Sequence, residues 1–238
     1  MQVIPSIIPK NKEQLEDEIE LVAGFADFVQ IDISDGIFTP FKTWPYNGQD
    51  YDFFDELKNE KIGWPKWESV DFEIHLMVKN PESVLNDWIK TGVSSVVAHI
   101  EAMAKPSDSS VARSAEGGFR DDFQKIIDIC KENQTATWIA IKPSTDISKI
   151  APFVSQVDGV QCMGSDLLGQ HGVELEDRAV EQIKKLRELS PDTIIAVDIG
   201  VNLETKDELL EAGATKLICG SAILDAENPK EAFEELSE

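Results

Sequence analysis

The chain has 238 residues, is 42% hydrophobic, and sets 45 acidic side chains against 22 basic ones for a formal charge of −23. The apolar content suffices to bury a core in one large domain or two small ones. So acidic a surface repels DNA, RNA and anionic lipid, which excludes binding driven by phosphate neutralisation. It leaves room for a small phosphorylated ligand, because backbone N–H groups alone can hold a phosphate.

No apolar run approaches the roughly 20 residues of a membrane span. The N-terminal MQVIPSIIPKNKEQ has no basic segment followed by a long apolar stretch, so no signal peptide is expected. Cys130, Cys162 and Cys219 are widely spaced and form no C-x-x-C pair. Buried free thiols and a cytoplasmic, reducing setting are the expectation.

In chain order the strand candidates are QVIPS (2–6), FVQID (28–32), FEIHLMV (72–78), SSVVAHI (94–100), ATWIAIK (136–142), GVQCM (159–163), TIIAVDI (193–199) and TKLICGS (215–221). Helix-like stretches fall between them at 11–23, 81–91, 121–133, 176–189, 204–212 and 229–237. Asn80 before Pro81 and Asn202 before Leu-Glu-Thr read as helix N-caps. Thr91-Gly92 and Ala-Gly-Ala at 212–214 read as helix stops. Eight strands alternating with helices fit a closed (β/α)8 barrel or an open doubly wound sheet. Length and strand count favour the barrel, and no G-x-G-x-x-G follows the first strand. The class expected is α/β, a single (β/α)8 TIM-barrel domain over 1–238, with extended loops at about 41–71 and 103–120.

Barrel ligands collect at the C-terminal strand ends. The polar residues at those places are Gln30, Asp32, His75, His99 with Glu101, Lys142 and Asp198. Strand side chains alternate, so Gln30 and Asp32 share one face while Ile31 and Ile33 take the other. Two carboxylates, an imidazole and an amide oxygen converging at a barrel mouth would suit a divalent metal. Each residue also has a plainer reading. A single Asp can cap the next helix, His75 can be a hydrogen-bonded core residue, and Lys142 can run its stem out of a strand end. Asp35-Gly36 reads as turn chemistry, and His171 as a surface loop residue. Glycines in DIGVN (198–202) and CGSAI (219–223) sit just past strand ends, where backbone can approach a phosphate or simply turn.

The segments PSI, IDISDGIFTP, FEIHLMVKNPE, HIEA, AVDIGVNLET and EAGATKLICGSAI follow one another as in ribulose-phosphate 3-epimerases, and the resemblance spans nearly the whole chain. It implies a (β/α)8 barrel with a divalent metal (Zn, Mn, Fe or Mg) and a small sugar phosphate as partner, with neither nucleic acid nor membrane; a homo-oligomer is admitted. Asp32 and Asp198 would be the two proton-transfer groups and metal ligands, with His75 a further ligand. Ser6 would touch substrate hydroxyls, Met77 and Met163 would wall the reacting centre, and Gly200, Gly220 and Ser221 would hold the phosphate. The alternatives are an epimerase of another ketose phosphate and a silent homologue that binds sugar phosphate without turnover.

The chain departs from the family pattern at defined places. Gln30 stands where the family has His, which implies weaker metal binding or a preference shifted toward Mg²⁺ or Mn²⁺. Ser34 replaces a Met. The glycine-rich loop becomes GSDLLGQ, bringing Asp166 near the expected phosphate. Ile199-Gly200 replaces a Gly pair.

Overall fold

The structure is a computed structural model that describes residues 1–103, 115–170 and 172–238. Eight parallel strands close into a barrel in sequence order. They are β1 (Gln2–Ile7), β2 (Phe28–Ser34), β3 (Asp71–Met77), β4 (Ser95–His99), β5 (Ala136–Ile141), β6 (Gly159–Met163), β7 (Ile195–Asp198) and β8 (Lys216–Cys219). The outer ring comprises α1 (Lys12–Val22), α2 (Tyr51–Lys58), α3 (Leu85–Ile89), α4 (Ala115–Glu132), α5 (Asp177–Leu189), α6 (Lys206–Ala212), α7 (Ser221–Leu224) and α8 (Pro229–Ser237). A single 3₁₀ turn at Ile147–Lys149 stands between β5 and β6, in place of an α-helix.

The period-2 alternation of the strands divides the apolar residues between two layers. Ile31, Ile33, Ile74, Leu76, Ile139, Ile141 and Val197 face outward and pack under the helices. Ile4, Met77, Val97, Ala140, Met163, Ala196 and Ile218 fill the interior. Helices answer with their own stripe: α1 buries Leu15, Ile19 and Val22, spaced to share one face. Asn11 caps α1 and Asn228 caps α8, each accepting a backbone N–H of the first turn.

The floor of the barrel holds a buried ion pair that the sequence reading missed. Lys216 Nζ lies 3.0 and 3.1 Å from the two carboxylate oxygens of Glu73, and Ser95 donates to Glu73 at 2.7 Å. The Lys216 ammonium also sits 4.2 Å from the Trp138 ring centroid and 5.2 Å from that of Phe28.

The expected 41–71 loop packs as a small aromatic cluster around α2. Trp44 is fully buried, with the rings of Phe53, Phe54, Trp64 and Trp88 between 5.6 and 6.2 Å away, while Trp67 is exposed. The expected 103–120 loop falls largely outside the described residues, and α4 begins within it at Ala115. His171 lies outside them as well. All three cysteines are free and buried.

Asn80 stands at the N-cap with Pro81 at the start of the following turn, as expected, but it caps without its side chain. Its backbone is left-handed (φ +53°), its side chain makes no capping bond, and a 3₁₀ turn follows at Pro81–Ser83. Asn202 accepts N–H bonds from Glu204 and Thr205 through its side chain, in a turn that runs into α6, and its carbonyl accepts the N–H of Lys206. Gly213 terminates α6 at φ +114°, as the Ala-Gly-Ala signal predicts.

Candidate functional site

Register carries polar residues of separate strands to the same height at the C-terminal mouth. Asp32 pairs with His75 across β2 and β3, and Met163 pairs with Asp198 across β6 and β7. All lie on inward faces. Asp32, His75 and Asp198 are buried and bring ligand atoms within 4.8 Å of one another, a group able to hold a metal ion. His75 Nδ1 is 2.9 Å from Asp32 Oδ1 and 3.5 Å from Asp198 Oδ2.

Gln30 enters this group through its nitrogen. Its Nε2 donates to Asp32 Oδ1 at 2.9 Å, reaches Asp198 Oδ2 at 3.5 Å, and lies 3.4 Å from His75 Nδ1. Gln30 is fully buried, and its Oε1 has no partner. Gln161 repeats the arrangement: Nε2 donates to Asp198 Oδ2 at 3.2 Å and Oε1 is unpartnered. Gln161 was not singled out from the sequence, although its place two residues before the end of β6 puts it on the inward face with Met163. The residues fit a divalent cation. Two carboxylates and an imidazole converge, while Gln30 turns its amide nitrogen toward them and its oxygen away.

The charge balance is uneven. Burial, then the nearby Asp32 charge, pushes the Asp198 carboxyl up to about 7, against the opposite pull of His75. At His75 burial opposes the charged form, yet the hydrogen bond and charge of Asp32, with the charges of Asp198 and Glu73, leave the pKa raised.

Behind His75 stands a second polar layer. His75 Nε2 is 2.9 Å from His99 Nε2, and His99 Nδ1 is 3.1 Å from Glu101 Oε2. Glu101 Oε1 accepts the Lys142 N–H at 2.8 Å and the Thr145 hydroxyl. The Phe38 ring covers His99 with centroids 5.0 Å apart, and Lys142 Nζ lies 4.8 Å over Phe38.

Above the cluster a cavity of about 390 Å³ opens, within the usual range of small-molecule sites. Ser6, Asp32, Met77, Met163, Asp198, Gly200, Gly220 and Ser221 all line it. Gln30 and His75 lie beneath, fully buried. Among the described residues no Lys or Arg lines the cavity.

Three local readings resolve here. Asp35 makes turn bonds to the N–H of Ile37 and Phe38, with Gly36 at φ +74°, and also accepts the N–H of Lys79 beyond β3. Asp166 is held away from the cavity by Ser144 and by Arg178 at 2.8 Å. Ile199 takes φ +78°, a left-handed conformation that is strained for a β-branched residue, and Gly200 follows at φ +73°. A Cβ on Gly200 would stand 2.6 Å from the Leu175 backbone nitrogen, so the close approach there requires glycine.

The family model for the ribulose-phosphate 3 epimerase family matches residues 2–224. The ribulose-phosphate 3-epimerase of Schizosaccharomyces pombe is 26% identical over 234 residues, covering 98% of this chain and 90% of that protein. The Bacillus subtilis ribulose-phosphate 3-epimerase is 26% identical over 248 residues, covering 99% and 98%. Among solved structures, 3-hexulose-6-phosphate synthase from Salmonella typhimurium aligns with a TM-score of 0.65 at 15% identity, covering 100% of this chain and 97% of that one. KGPDC from Streptococcus mutans in complex with D-R5P aligns with a TM-score of 0.64 at 11% identity, covering 99% and 94%. The two structural likenesses concern the barrel fold.

Proposed function

The chain belongs to the ribulose-phosphate 3 epimerase family, and from that premise we propose that it inverts the carbon next to the ketone of a ketopentose phosphate, with Asp32 and Asp198 as the proton-transfer groups. The observation that carries this reading is the convergence of two buried carboxylates and an imidazole at the base of a small cavity.

Inversion needs a proton group on each face of the reacting carbon. Asp32 comes from β2 and Asp198 from β7, so the two carboxylates approach from different walls. In one direction Asp32 takes the proton as a carboxylate, and Asp198 returns one from the other face. Burial and then the nearby Asp32 charge raise the Asp198 carboxyl, which favours its protonated form in the metal-free site. In the reverse direction the roles exchange. A divalent cation bound by Asp32, His75 and Asp198 would supply positive charge to the developing enediolate. Met77 and Met163 exclude water from the reacting centre, Ser6 meets a substrate hydroxyl, and the backbone at Gly200, Gly220 and Ser221 receives the phosphate. The absence of a cationic side chain among the described lining residues makes that backbone the phosphate's main support.

Proton exchange in D₂O tests this directly. With ribulose 5-phosphate and added Mn²⁺ or Zn²⁺, deuterium enters C3 in the wild type, and Asp32→Asn and Asp198→Asn each slow its entry by about 10²–10⁴-fold. Absence of exchange with every divalent metal tried removes this substrate from the reading. Calorimetric binding of ribulose 5-phosphate without exchange would instead identify a silent homologue.

A further inference from the structure

Gln161 is a polar side chain in an apolar place. Its neighbours at the same height on β5 and β7 are Ala140 and Ala196, both turned into the barrel. The amide is fully buried, and its Oε1 finds no partner among the described residues. A Leu or Met would fill that space without the cost of burying an unpaired carbonyl. The fold gains nothing from the amide, whose one strong partner is a carboxyl of the site.

That partner is Asp198. Gln161 Nε2 stands 3.2 Å from Asp198 Oδ2, and its other contact is the weak acceptor Sδ of Met163 at 3.8 Å. The small methyl groups on both sides leave the long side chain room to rise to that oxygen. Gln30 Nε2 and His75 Nδ1, each at 3.5 Å, face the same oxygen, and the Ile199 N–H also bonds the carboxyl. Of the two amides Gln161 is the nearer to Asp198. Gln30 lies closer to Asp32, 2.9 Å from its Oδ1, as does His75.

We propose that Gln161 is a positioning residue for Asp198 alone, tying Oδ2 into the barrel so that the other carboxyl oxygen is aimed at the reacting carbon. A carboxyl free to swing about its last bond offers either oxygen at any angle. Proton transfer needs one of them within hydrogen-bond reach, and a misplacement of about 1 Å can cost about 10²-fold. The proton-transfer role of Asp198 rests on the function proposed above, whereas the tie between Gln161 and Asp198 does not.

Because Gln161 serves one carboxyl of the pair, its loss should be felt on one face of the substrate. Gln161→Met keeps the volume and removes the donor. With Mn²⁺ in D₂O, kcat is expected to fall by about 10–100-fold with KM little changed. Deuterium then resolves the faces, starting from ribulose 5-phosphate and from its C3 epimer in turn. From the epimer that Asp32 deprotonates, the enediolate waits for Asp198 and returns by way of Asp32. Recovered starting material therefore gains deuterium relative to product. From the other epimer, removal by Asp198 becomes the slow step, and that ratio falls. A side chain that merely supports the fold moves both ratios alike or neither. A second measurement needs neither metal nor turnover, nor a folded Gln161→Met. The ¹⁵N–¹H signal of the Gln161 side-chain amide, assigned through bonds from its own backbone, should move upfield when Asp198→Ala removes its acceptor. Opposite changes in the two ratios, with an amide signal that follows Asp198, are the expected result. Ratios that move together or stay put, or an amide signal indifferent to Asp198→Ala, overturn the proposal. If the signal follows Asp198 while neither epimer exchanges in the wild type, the tie is upheld and the epimerase reading fails.

Discussion

The barrel buries two polar clusters, one at its floor and one at its mouth, and they are built on opposite terms. At the floor one ammonium meets one carboxylate, with Ser95 and two aromatic rings completing the surroundings. Charge is balanced and each ionic group has its partners. At the mouth two carboxylates share one imidazole, and two amides offer nitrogen while leaving their oxygens unpaired. Buried polar groups are ordinarily satisfied, so a fully paired cluster reads as structure and an unbalanced one as a site awaiting a ligand.

The difference can be broken most sharply at the floor. Removing one charge, by Glu73→Gln or Lys216→Met, leaves its partner buried and alone, and is expected to cost about 3–5 kcal/mol of folding stability. The double variant Glu73→Met with Lys216→Met should recover most of that loss, because two apolar side chains replace the pair. Urea denaturation measures all three. A loss below about 1 kcal/mol in both single variants would mean that the floor pair behaves like a surface ion pair.

The mouth should respond with the opposite sign. The Asp198 carboxyl is raised from its ordinary value to about 7, first by burial and then by Asp32. A carboxylate raised in the folded state binds more protons folded than unfolded, so stability falls as pH climbs from about 4 through 7. In metal-free protein Asp198→Asn should therefore be more stable than wild type at pH 8, by about 1 kcal/mol or more, with the gain gone by pH 4. Divalent cation should raise the wild-type midpoint and leave the variant's nearly still. A variant less stable than wild type at pH 8 in chelator would show that the mouth cluster supports the fold as the floor does.

The smallest effect concerns ligand softness. Gln30→His replaces an amide by imidazole among the same partners and should tighten Zn²⁺ by about tenfold while changing Mg²⁺ little. Equal affinities for Zn²⁺ in the two proteins, by calorimetry, would place Gln30 outside the coordination shell.

Much of the fold was legible in the residues themselves. Strand runs such as FEIHLMV alternate apolar faces locally, and the helices between them carry their own stripes, so eight β–α repeats follow from short-range pattern. Gln30 and Asp32 share a face for the same reason. Asn80 occupies the cap position that its sequence signals, yet with a left-handed backbone and no capping bond from its side chain. Ile199 is the converse case: the loop after β7 keeps a backbone suited to glycine although the residue there is Ile.

By itself, then, the sequence determined the repeat, the inward parity of Gln30, Asp32, His75 and Asp198, and the free, buried state of the cysteines. Tertiary structure alone decided which atoms meet. Lys216 finds Glu73 across 143 positions, and Gln161 finds Asp198 across 37. His99 meets His75 edge to edge with Glu101 behind it. The physical reason is that side-chain parity is a property of one strand, whereas these contacts depend on strand register and barrel closure, which bring distant residues to one height around a shared interior.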